Sequence, residues 1–88
     1  MADRAIVLHV QAATPDSADS SITLTLGVQY FSDIGNMLFS YVEARMLWTD
    51  TAATWLTKMT TAIINFGTAN GYTLAAAQIR IPSYIAGT

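Results

Sequence analysis

The chain has 88 residues, 52% of them hydrophobic and only 11% charged, with a net charge of -2 and no cysteine. That length allows one domain. The composition excludes a disulfide framework and a thiolate metal site, and the scattered basic residues Arg4, Arg45, Lys58 and Arg80 make no stripe for neutralising phosphates.

Ala5–Ala12 alternates, with Ile6, Leu8 and Val10 on one face and Val7, His9 and Gln11 on the other, the pattern of a strand. Residues 13–20 (ATPDSADS) form the one clear shift in composition, and Pro15, Asp16, Asp19 and the serines Ser17 and Ser20 predict an exposed acidic loop. Ser21–Tyr30 is the cleanest strand: Ile22, Leu24, Leu26, Val28 and Tyr30 alternate strictly with small or polar residues. A slip of one position would expose all five, so its facing is firmly specified. Gly27 within it suggests a bulge or a close approach by another part of the chain.

Residues 33–48 are read as a helix, on the strength of VEARML and a polar arc of Asn36, Ser40 and Glu43. The alternative is a strand following a turn at Asp33–Asn36, which leaves both faces mixed. Residues 50–66 have the firmest helical periodicity: Ala52, Trp55, Leu56, Met59, Ala62, Ile63 and Phe66 share one side. Thr49 or Asp50 is the expected N-cap, and Gly67 the expected stop. Asn70-Gly71 predicts a turn, and residues 78–85 (QIRIPSYI) a last strand, held to an edge or ended by Pro82. The whole of residues 1–88 is thus expected to be one α+β domain. A small antiparallel sheet (5–12, 21–30, 78–85) would be covered by helices at 33–48 and 50–66.

The search for chemistry is mostly negative. His9 is the one histidine, mid-strand, with no acidic partner at a metal-ligand spacing. No GxSxG elbow, phosphate-cradling glycine loop or paired-carboxylate arrangement is present. No catalytic, cofactor-binding or metal-binding residue is therefore assigned. Residues 5–10 are too short for the apolar core of a signal peptide, and no run approaches the ~20 apolar residues of a spanning helix, so no membrane partner is expected.

A domain this small hides only about 60–65% of its unfolded surface. So much apolar side chain with so little charge is expected to meet another chain. The candidate interface residues are Trp48, Phe39, Tyr41 and Tyr84, as aromatic anchors, and Ile64, which the helical wheel places on the Thr-rich side away from the core stripe. The composition, short, weakly charged and rich in Ala, Thr and Ser, is similar in style to many small bacteriophage virion proteins. The expected function is a non-enzymatic structural subunit of a symmetric homo-oligomeric assembly, of the capsid-decorating or connector kind, whose partners are itself or other subunits. The rival is a small dimeric α+β ligand-binding or enzymatic module with a pocket between the sheet and residues 37–48, using His9, Arg45, Arg80 or tyrosines.

Overall fold

The computed structural model describes residues 3–82. Strands β1 (Arg4–Asp16), β2 (Ser21–Phe31) and β3 (Met37–Leu47) are followed by helix α1 (Ala52–Ala69), a short 3-10 turn (Ala76–Gln78) and a two-residue strand β4 (Ile79–Arg80). The sheet order is β3-β2-β1-β4. The first three strands are antiparallel neighbours, and β4 runs parallel to β1, pairing only with Ala5 and Ile6. The architecture is α+β, a mixed four-stranded sheet with one helix on one face.

β2 behaves as its alternation requires. Ile22, Leu24, Leu26, Val28 and Tyr30 all face the core and are buried. Val7 on β1 and Val42, Ala44 and Met46 on β3 flank them, and Met59 and Ile63 of α1 close the core from above. Tyr30 sits at its centre, fully buried, with its hydroxyl donating to the Ile63 carbonyl at 2.8 Å. Phe66 and Tyr72 pack against its ring, with centroids 5.8 and 5.4 Å away.

Residues 37–47 correct the helix expected at 33–48. They form a strand whose exposure alternates, with Val42, Ala44 and Met46 buried and Met37, Phe39, Tyr41, Glu43 and Arg45 exposed. The turn at Asp33–Asn36 is the one the strand alternative required: Ser32 N–H donates to the Asn36 carbonyl at 2.8 Å, and Gly35 takes φ +94°. Helix propensity lost because pairing with β2 along the whole of β3 satisfies the backbone and buries one side chain in two. The alternation was hidden because the outward face is itself apolar at Met37, Phe39 and Tyr41.

Other boundaries moved for local reasons. β1 and β2 stay paired through Asp16 and Ser21, so much of the expected 13–20 loop is the exposed end of a long hairpin. Its turn is held by Asp19, which accepts from the Ser21 hydroxyl at 2.6 Å and pairs with Arg45. The N-cap of α1 is Thr51, whose hydroxyl accepts from the Thr54 N–H at 3.2 Å. Gly67 does not end the helix. It lies buried against Tyr30 and Leu74, where an added Cβ would come within 3.0 Å and 3.1 Å of their side chains. The stop comes at Asn70, with Gly71 at φ +88°. Tyr72 N–H donates to the Gly67 carbonyl and Gly71 N–H to that of Thr68, the two bonds of a Schellman motif. The expected strand at 78–85 is present only as Ile79–Arg80, and residues 83–85 lie outside the described residues.

Candidate functional site: the uncovered face of the sheet

α1 packs chiefly over β3 and covers one face of the sheet. The other face has no helix on it among the described residues. The continuous β2–β3 register sets Phe31 opposite Met37, Gln29 opposite Phe39 and Gly27 opposite Tyr41, all on that face. From β1, Arg4 is opposite Phe31, and its guanidinium lies 5.7 Å from the centre of the Phe31 ring. The result is a band of large side chains running across three strands.

The centre of the band is a three-ring cluster. His9 lies 6.3 Å from Phe39 in a stacked arrangement and 6.1 Å from Tyr41 edge-on, and Phe39 meets Tyr41 edge-on at 5.3 Å. Gly27 makes room for it: a Cβ there would lie 2.5 Å from the His9 Cε1. The sequence suggested a bulge or close approach at Gly27; the close approach is by His9, while the irregularities in pairing lie across from it, between Val7 and His9 and between Val10 and Ala12. They bring His9, rather than Leu8, into register with Gly27.

These rings remain open to solvent. Phe39 is 41% exposed, Tyr41 49% and Met37 68%. Charge is confined to the ends of the band, with Arg4 at one and Glu43 and Arg45 at the other. A shallow groove of about 750 Å³ continues the band past Arg4 and Phe31 to Arg80.

Of the residues singled out from the sequence, the structure joins Phe39 and Tyr41 in one cluster. Trp48 stands apart, just beyond the far end of β3, 56% exposed, with its ring 6.2 Å from that of Trp55. Ile64 is not on an open side of the helix. It is half-buried and packs against the core, because the apolar arc of α1 is wider than the stripe drawn from the helical wheel. Tyr84 lies outside the described residues. Sequence reasoning missed Met37, Phe31 and the place of His9. Strict period-two reading of 37–47 would have found Met37 beside Phe39 and Tyr41, but the position of His9 depends on the β1 bulges.

Among the described residues, no three His, Asp or Glu side chains stand close enough to hold a metal ion, and no helix is long and apolar enough to cross a membrane. Asp19 and Asp50 are both held below the usual carboxylate range. The cause is chiefly the Ser21 hydroxyl at Asp19 and the Lys58 ammonium at Asp50. Comparison with protein-family models, curated proteins and solved structures gives no significant match.

Proposed function

We propose that this protein is a non-enzymatic structural subunit that assembles with copies of itself or with other subunits through the uncovered face of its sheet. The observation carrying this reading is the His9–Phe39–Tyr41 cluster with Met37 beside it, an aromatic and apolar band left in water on a domain with few charges. Aromatic side chains supply large contact area for little conformational entropy, which suits the centre of an interface. The charges at the ends of the band fit a polar rim. An assembly of the virion kind, many copies each held by modest contacts, is the setting that the composition favours. Residues 37–47, which the rival reading set against the sheet, lie within it as β3, so that reading would have to use the depression between β3 and α1 instead.

Light scattering on a concentrated sample tests the proposal. The natural chain should give a mass well above one subunit. Phe39→Asp should return it to a single folded subunit whose thermal midpoint matches that of the dilute natural chain, because that side chain is exposed and lies outside the buried core. A natural chain that stays a monomer at high concentration would overturn the reading.

A further inference from the structure

We infer that two copies of the chain pair β3 with β3 across a two-fold axis at Tyr41, making one sheet continuous through both. The inference rests on the assembly reading above and names one of its contacts.

β3 is the terminal strand of the sheet among the described residues, and it is 11 residues long. Its pairing with β2 shows no bulge from end to end, and it contains no proline or lysine. Natural proteins usually blunt an exposed edge with such devices, since a straight, regular edge is a template for another strand. The opposite edge of the sheet is blunted in this way. β1 carries two irregularities and Pro15, and is covered at Ala5 and Ile6 by β4. The contrast selects β3 as the edge open to a partner.

The hydrogen bonds fix how much of it is open. Trp48 N–H turns toward the hairpin and donates to Ser20, while Leu47 turns away from β2. The Leu47 N–H donates to the Asp50 carboxylate at 2.9 Å, and its carbonyl accepts from the Trp55 indole at 2.9 Å. In an antiparallel ladder the outward-facing backbone groups recur at every second residue. Those of Met37, Phe39, Tyr41, Glu43 and Arg45 therefore face the free edge, and Leu47 is where Asp50 and Trp55 close it. The open stretch runs from Met37 to Arg45 and is centred on Tyr41. Beside its middle lies an open depression of about 670 Å³ bordered by Tyr41 and Glu43 of β3 and by Ala62 and Asn65 of α1.

The occupant that matches this edge in length and spacing is the same edge of a second copy. A two-fold contact is self-complementary by construction, so every open position finds an open position. Pairing the full stretch sets Tyr41 against the partner's Tyr41, Phe39 against the partner's Glu43, and Met37 against the partner's Arg45. No like charges face one another. The two aromatic bands join into one, so the edge and the face make a single continuous surface.

The chain has no cysteine, so introduced thiols report without background. Directly paired hydrogen-bonding positions lie about 5.5 Å apart at Cα, within disulfide reach. Under mild oxidation Tyr41→Cys should form a covalent dimer. Glu43→Cys and Arg45→Cys should not do so alone, but a mixture of Phe39→Cys and Glu43→Cys chains should cross-link to each other. Amide exchange on the unmodified chain is a second readout: the Phe39, Tyr41, Glu43 and Arg45 amides should gain protection as concentration rises. A large assembly that shows neither the cross-links nor that protection would overturn the edge pairing and leave the face-mediated assembly standing. Dimers that cross-link in this register but grow no further, and are indifferent to His9→Asp, a change in the face cluster on β1 and away from the β3 edge, would support the edge pairing and overturn the role given to the face. A chain monomeric at every concentration would overturn both.

Discussion

Tyr30 shows how much of the core can depend on one side chain. Its ring is fully buried among Phe66, Tyr72 and Gly67, and its hydroxyl ties the sheet to the helix at the Ile63 carbonyl. Burial pushes its pKa from 10.0 up to about 12. A group whose value is raised on folding favours the folded state below its unfolded value and ceases to do so as pH climbs through the folded one. Stability should therefore fall between pH 10 and about 12, by on the order of 2–3 kcal/mol from this residue. Tyr30→Phe should lose about 1–2 kcal/mol at neutral pH with the hydroxyl's bond. It should also flatten the alkaline limb, and denaturant titrations at pH 8 and pH 11 would read both effects. If the variant keeps the full alkaline loss, some other group is responsible.

At the scale of elements, the junction between β3 and α1 is held by a small polar knot. Asp50 accepts from the Leu47 N–H at 2.9 Å and pairs with Lys58 at 2.5 Å, while Trp55 donates to the Leu47 carbonyl. The Lys58 ammonium, and then the Leu47 N–H, hold the pKa of Asp50 below 3.8. The sign is opposite to that of Tyr30. The contribution is complete at pH well above 3.8 and is lost as pH falls beneath it through the lowered folded value. Thermal midpoints recorded from pH 6 to pH 2 should drop less steeply for Asp50→Asn than for the natural chain. Equal slopes would mean that the knot contributes nothing to acid sensitivity. The same scale explains the misread segment. Residues 37–47 hold one buried and one aromatic face, so neither face looks polar in the sequence, and the property that concealed the strand is the one that makes it a candidate interface.

The molecule is elongated, 43 × 21 × 19 Å. At about 3.3 Å per residue, the 13 residues of β1 account for nearly all of its length. α1 lies over β3, so the β1 arm of the hairpin is left uncovered from Val10 to Ser20 while its β2 partners Ile22, Leu24 and Leu26 are buried. An elongated domain with a thin core gains much of its stability from neighbours if it assembles. Mass action then makes the thermal midpoint rise with protein concentration. The expected outcome is such a rise for the natural chain over a hundredfold range and none for Phe39→Asp, followed by circular dichroism. A midpoint independent of concentration in both would argue against assembly as a source of stability.

The sequence alone determined the facing of β2, the existence of α1 and the class of the fold, because strict alternation and a broad apolar arc each admit one packing. It also marked Phe39 and Tyr41 as candidates, from their residue types. Only the tertiary structure decided that residues 37–47 are a strand, that Ile64 packs against the core, and that His9 completes a cluster over Gly27. Those outcomes depend on which strand pairs with which and where β1 bulges. Both are set by contacts between residues far apart in the chain, which no local pattern records.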